Sequence, residues 1–183
     1  KVYRGTTEDA EKAIQAARRA FDEGPWGRTA ARDRARILAK AGEIMERRGE
    51  EFAVLESLEC GYHYGSSRYY CVPMAVDSFR FFAGKARDIE GKVVESDYGT
   101  LNYVTWNPVG VVAEILPWNG PYLMGCQKIN AILAAGNTCV IKPPSWGVLT
   151  LLQLASVYEE AGLPAGVFNV ITGAGGEVGA YLT

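Results

Sequence analysis

Apolar positions follow a helical period through the first 85 or so residues and a strand-helix alternation through the last 75. Thr6-Thr7-Glu8-Asp9 places hydroxyls and two acids where a helix begins, and Ala10, Ala13, Ile14, Ala17 and Phe21 then share one helical face. Gly24-Pro25-Trp26-Gly27 ends that helix. Thr29 is expected to cap a second one, with Ile37, Ala41, Ile44 and Met45 turned inward and Arg32, Arg34, Arg47 and Arg48 turned to water. Gly49 separates it from a third, Glu50 to about Cys60. Tyr62-His63-Tyr64-Gly65-Ser66-Ser67 reads as a loop. A fourth helix is predicted from about Arg68 to Gly84, burying Val72, Val76, Phe79 and Phe82.

The period then shortens. Val93-Val94-Glu95-Ser96-Asp97 and Thr100-Leu101-Asn102-Tyr103-Val104-Thr105-Trp106, separated by Tyr98-Gly99, read as a β-hairpin. From Asn107 the expected order is strand 109–116, helix 121–135, strand 138–142, helix 148–162 and strand 167–172. Gly136-Asn137 and Gly162-Leu163-Pro164 end the two helices. Strands alternating with helices of this length imply a parallel sheet with right-handed crossovers, hence an α/β fold. The expected division is a helical part over 1–91, a hairpin over 92–107 and a βαβαβ unit over 108–183.

Composition narrows the classes of function. The 183 residues are 48% hydrophobic and 22% charged, with a net charge of −2, as in an ordinary globular protein. No basic stripe invites nucleic acid, and no apolar run approaches the ~20 residues of a membrane span. Cys60, Cys71, Cys126 and Cys139 have no C-x-x-C spacing, and His63 is the single histidine, so no metal site is expected. Reduced thiols and the lack of a signal peptide suggest a cytoplasmic protein. Lys1 without an initiator, and Ala180-Tyr181-Leu182-Thr183 broken off inside a helix, suggest a piece of a longer polypeptide.

The chemistry gathers at strand ends. Leu116-Pro117-Trp118-Asn119-Gly120-Pro121 follows the first sheet strand, and Ile141-Lys142-Pro143-Pro144-Ser145 closes the second. Gly173-Ala174-Gly175-Gly176-Glu177-Val178-Gly179 follows the third. An amide, a lysine and a glycine-rich turn at successive strand ends suit a dinucleotide. Taken singly, Asn119 could be only a turn residue and Lys142 only a surface cation.

Asn107-Pro108-Val109-Gly110, Pro117-Trp118-Asn119, Gly136-Asn137-Thr138, Ile141-Lys142-Pro143, Ala161-Gly162-Leu163-Pro164 and the glycines 173, 175 and 179 occur in one order and at one set of spacings. In this the chain resembles the aldehyde dehydrogenase superfamily over nearly its full length. The resemblance implies a helical N-terminal layer, a Rossmann-like sheet, and a protruding hairpin that joins subunits into a dimer or tetramer. It implies oxidation of a small-molecule aldehyde to a carboxylic acid by NADP or NAD, through a thiohemiacetal and a thioester. The cysteine nucleophile and the carboxylate base are expected outside residues 1–183. The alternative is a truncated module that binds nucleotide or oligomerises without catalysis.

By the same resemblance Asn119 and Lys142 are the catalytic positions present. Asn119 donates to the oxyanion, and Lys142 bonds the adenosine ribose. Ile115, Leu116, Pro117, Trp118, Asn119, Lys142, Pro143, Ser145, Gly175 and Gly179 would contact cofactor. Where much of the family has a glutamate that binds both ribose hydroxyls, this chain has Ser145, which favours NADP because a carboxylate would repel a 2′-phosphate. Gly120, Cys126 and Gln127, with Gly125, would line the substrate tunnel, although core packing explains a glycine and a cysteine equally. Lys128 matches a lysine tied to proton relay, or is a snorkelling surface residue. Cys126 reads as a small buried hydrophobe and not as a nucleophile.

Overall fold

The first helix begins where its hydroxyl and acids predict. In the computed structural model, which describes residues 2–96 and 98–183, α1 spans Thr7–Asp22. The Asp9 N–H donates to Thr6 Oγ1 at 3.4 Å, and the Thr6 N–H donates to the Asp9 carboxylate at 3.0 Å. α2, Ala31–Arg47, differs from expectation at its start. Its cap is Ala30, with no side-chain bond, because the Thr29 hydroxyl donates to Pro25 O at 2.9 Å over the tight turn Trp26–Arg28. Arg34 does not face water either. Its guanidinium donates to Thr29 O at 2.6 Å and to Ala134 O at 3.1 Å. Arg48 is likewise drawn in, to Glu51 and Ser156.

α3, Gly49–Cys60, stops at Gly61. The expected loop is then mostly helix: a turn α4, Tyr64–Ser66, runs through a π-helical turn, Ser67–Cys71, into α5, Val72–Lys85. The wider turn, closed by Val72 N–H on Ser67 O, brings both Ser67 and Cys71 inward. Ser67 is needed there. Its hydroxyl donates at 2.6 Å to Glu56, a carboxyl on α3 with no solvent exposure. The Tyr122 hydroxyl donates in turn to Ser67 O at 3.3 Å.

β1, Lys92–Val94, and β2, Asn102–Val104, pair antiparallel with Val93 opposite Tyr103, and every residue of both is exposed. The ribbon is shorter than its sequence suggests, and the expected strand position Asp97 lies outside the described residues. Next come β3, Val111–Ile115; α6, Pro121–Ala134; β4, Thr138–Lys142; α7, Val148–Ala161; and β5, Phe168–Val170. The three strands form one parallel sheet in the order β3-β4-β5, with Ala113 beside Val140 and Val140 beside Asn169. Gly136 and Asn137 close α6 by donating to Leu133 O and Ile132 O, the paired bonds of a Schellman stop.

Alternation along β4 sorts the layers. Cys139 and Ile141 join the core built with α2, α5, α6 and α7, whereas Val140 joins a smaller core with Ala10 and Ala17 of α1 and with Val178. The order is therefore α1, sheet, α6 and α7, with α2, α3 and α5 packed behind. Trp26 is fully buried and donates its indole N–H to Asn137 O at 2.9 Å. Losing such a ring costs about 3–5 kcal/mol. An exposed pair such as Arg80–Glu46 contributes about 0.2–1 kcal/mol, so the buried face decides helix placement.

Burial pushes the Glu56 carboxyl above its ordinary value of 4.5, against the lowering effect of the Ser67 hydroxyl, and its Oε1 has no hydrogen-bond partner among the described residues. The folded chain thus holds this proton more tightly than the unfolded chain. Glu56 therefore contributes stability that is complete below pH 4.5 and declines as pH rises through the folded pKa. Urea unfolding across that range is expected to show wild-type stability falling by at most about 1.4 kcal/mol per pH unit from this group. Glu56→Gln should flatten the slope, and an unchanged slope in the variant would assign it to other groups.

Candidate cofactor and active site

Three strand-to-helix turns meet at the carboxyl edge of the sheet. After β3, Leu116 is buried in the larger core, and Pro117-Trp118-Asn119 runs out to Gly120, whose φ of 111° only glycine adopts without strain. Pro121 then opens α6 at a position where its missing N–H costs nothing. After β4, Pro143 and Pro144 are buried, Ser145 and Trp146 are exposed, and Gly147 at φ 105° opens α7. A Cβ on Gly147 would overlap the Pro121 ring and lie 3.0 Å from Cys60 Sγ, so the first two turns touch. After β5, Ile171-Thr172-Gly173 leads into a π-helical turn, Gly175–Gly179, in which Gly175 and Gly176 are exposed bare backbone.

Lys142 lies where these turns converge. Because it alternates with Val140 on the α1 face of the sheet, its side chain passes beneath the glycine turn. A Cβ on Gly179 would sit 3.5 Å from Lys142 Cδ and 3.9 Å from Ile115 Cδ1. Lys142 is 3% exposed, and its Nζ donates to Pro143 O at 2.8 Å. No carboxylate pairs with it among the described residues, and desolvation lowers its pKa. A desolvated ammonium with spare donors, beneath a turn whose first two glycines are exposed, fits a polyhydroxyl or phosphate ligand. A cleft of about 290 Å³ opens next to it, lined by Pro143, Pro144, Ser145, Thr172, Gly173 and Ala174 together with Val2, Tyr3 and Arg4.

Ile115, Lys142 and Gly179 thus meet at one point, Lys142 bonds Pro143 O, and Pro143 and Ser145 line the cleft alongside. Asn119 and Trp118 stand exposed on the neighbouring turn, and the Asn119 amide makes no hydrogen bond among the described residues. The positions read as tunnel lining separate. Gly120 is buried with the Tyr62 hydroxyl near it, and Gln127 is exposed in a hollow with Met74, Asp77, Ser78, Phe81 and Phe82. Gly125 is closed off by Leu151, whose Cδ2 would lie 2.6 Å from a Cβ there. Cys126 has no exposure, and burial pushes its thiol pKa far up, as it does for Cys139. Lys128 sits 3.5 Å from Glu114. Met74, Phe81 and Arg4 gave no local signal in the sequence, because each reaches its place through tertiary packing.

Comparison with known proteins identifies the group to which this geometry belongs. The sequence profile of the Aldehyde dehydrogenase family matches residues 1–183. The chain belongs to the aldehyde dehydrogenase family. It is 38% identical over 182 residues to the putative aldehyde dehydrogenase DhaS of Bacillus subtilis (strain 168), covering 100% of this chain and 37% of that protein. It is also 38% identical over 183 residues to the NADP/NAD-dependent aldehyde dehydrogenase PuuC of Escherichia coli (strain K12), covering 100% of this chain and 37% of that one. The NAD+ complex of an aldehyde dehydrogenase from Bacillus cereus superposes with a TM-score of 0.95 at 38% identity, over 98% of this chain and 36% of that one. The chain thus spans little more than a third of the length of these relatives. Among the described residues no group of three His, Cys, Asp or Glu side chains could hold a metal, and no helix is long and apolar enough to cross a membrane.

An unpaired buried cation in this aldehyde dehydrogenase fold should cost stability. Lys142→Met keeps the stem and removes the charge, and is expected to raise the free energy of unfolding by about 1 kcal/mol or more. Chemical denaturation of both forms tests this. A destabilised variant would mean that the bond to Pro143 O outweighs desolvation.

Proposed function

We propose that this chain forms the dinucleotide-binding part of an enzyme that oxidises an aldehyde to a carboxylic acid with NADP or NAD. The observation that carries the reading is Lys142, buried against Gly179 of the glycine turn and with no paired carboxylate among the described residues. A nicotinamide dinucleotide, when bound, supplies the two-electron acceptor. Lys142, with Ser145 at the cleft, would hold its adenosine ribose, and Ile115, Leu116, Pro117, Trp118, Pro143, Gly175 and Gly179 would shape the rest of the site. The naming of PuuC as NADP/NAD-dependent and the NAD+ complex from Bacillus cereus support this choice of cofactor.

Asn119 would act on the aldehyde. Thiolate attack places negative charge on the carbonyl oxygen, and an amide N–H held at the start of α6 stabilises it there. The thiolate would come from a segment outside residues 1–183. Cys71, Cys126 and Cys139 are buried, and desolvation raises the pKa of Cys60 to about 11. Gly120 and Gln127 would face the aldehyde, leaving Cys126 to the core. In the complete enzyme Asn119→Ala should cut kcat by about 10²–10³-fold with little change in cofactor affinity. Wild-type turnover in that variant would remove Asn119 from the mechanism.

The hairpin is proposed as the contact for self-association into a dimer or tetramer. Val93 is 78% exposed, Leu101 74%, Tyr103 61% and Trp106 69%, and a lone two-stranded ribbon is marginal in water. Val93→Lys combined with Tyr103→Glu should shift the mass measured by light scattering toward the monomer at micromolar concentration. An unchanged mass would place the contact elsewhere.

A further inference from the structure

The mouth of the cleft holds a cation that the strand-end motifs do not account for. Arg4 lines the same space of about 290 Å³ as Pro143, Ser145 and Thr172. Its backbone is fixed on both sides. The Gly5 N–H donates to Thr172 Oγ1 at 3.3 Å, and Thr172 Oγ1 donates to Tyr3 O at 2.5 Å. Gly5 itself is pressed onto the end of the sheet so closely that a Cβ would lie 2.7 Å from Ile171 Cδ1. The side chain of Arg4, in contrast, is held by little. It is 74% exposed, and its ion pair is with the half-exposed Glu177 at 3.5 Å. Exposed pairs of that length are weak and exchange readily for a better acceptor.

We infer that Arg4 is a specificity residue for the adenosine end of the cofactor: its guanidinium parts from Glu177 and pairs with a 2′-phosphate held at Ser145. The inference rests on the dinucleotide reading of the cleft. A 2′-phosphate is a compact dianion, and a guanidinium meets it with two parallel N–H bonds. The Ser145 hydroxyl donates a third, and Lys142 contributes charge from below. A 2′-hydroxyl is neutral and gains little from the same guanidinium, so Arg4 separates the two cofactors. Glu177 opposes this separation, because it holds Arg4 when no phosphate is present and repels the phosphate when one arrives. The anchored Gly5 makes the arrangement specific, since it keeps the arginine at the cleft instead of leaving it on a loose terminal segment.

The test is binding in the complete protein, followed by quenching of tryptophan fluorescence. Trp118 and Trp146 are 65% and 71% exposed on the two turns that border the site. NADP, NAD, adenosine 2′-monophosphate and adenosine 5′-monophosphate are the probes. Arg4→Gln should weaken NADP and the 2′-monophosphate by about tenfold or more while leaving NAD and the 5′-monophosphate nearly unchanged. Glu177→Gln should strengthen NADP. If both dinucleotides bind and Arg4→Gln leaves their ratio unchanged, the role of Arg4 is overturned while the cofactor reading stands. If neither binds the wild type, the cofactor reading fails and the inference falls with it.

Discussion

Strand β4 is buried at all five of its positions, and the rest of the molecule is arranged to permit that. A strand covered on both faces must feed two cores at once, so its odd and even residues answer to different partners. Cys139 and Ile141 require the helices of the crossovers. Thr138 and Val140 require something on the other face, and α1 provides it: the Thr138 hydroxyl donates to Ala17 O at 3.0 Å, and Val140 packs among Ala10 and Ala17. Lys142 is the last residue of the Val140 series. Continuing that series carries a lysine into a desolvated place, where an ordinary surface cation would not go. The proposed cofactor site is thus a consequence of parity along one strand.

The N-terminal helices are support for those strand ends. Trp26 and Arg34, remote in sequence, both fasten the turn between α6 and β4, through Asn137 O and Ala134 O. Asn137 passes the restraint on, its Oδ1 accepting from the Gly110 N–H at 3.0 Å just before β3. One turn therefore sets where two neighbouring strands begin. Since the strands are only five residues long and register is fixed at their origin, it also sets where they end. The buried series Glu56–Ser67–Tyr122 ties the beginning of α6 to α3 and to the π-helical turn, three residues beyond Asn119. Errors in the helical layer would thus reach the strand ends as displacements of whole turns.

Much of this was legible in the sequence, for identifiable reasons. The βαβαβ order and the Gly136-Asn137 and Gly162-Leu163 stops came through because periodicity and left-handed glycines are local signals. The family followed from six short motifs in order. What local signals could not show was competition for a polar group. Thr29 has the chemistry of a helix cap, yet its hydroxyl is claimed by Pro25 O. Arg34 has the spacing of a surface residue, yet the orphan carbonyl at the end of α6 draws it in. Tyr62–Ser67, rich in glycine and serine, reads as a loop until the buried Glu56 carboxyl demands a hydroxyl from Ser67. Arg4 is invisible for the same reason, since its place depends on Gly5 meeting a strand end 167 residues away.

Gly120 shows how the two kinds of information bear on one residue. The family resemblance offers one reason for a small residue here, a place on the proposed tunnel wall. The backbone adds a separate reason for glycine: φ is 111° and the next residue is Pro121, so any side chain here would be strained whatever space surrounds it. Pro121 in turn packs so closely on Gly147 that a Cβ there would overlap its ring, and Gly147 follows Ser145 in the same turn. Enlarging residue 120 would therefore strain the turn that presents Asn119, next to the Pro121 ring on which the following turn packs. The geometry of the strand ends alone thus accounts for the glycine.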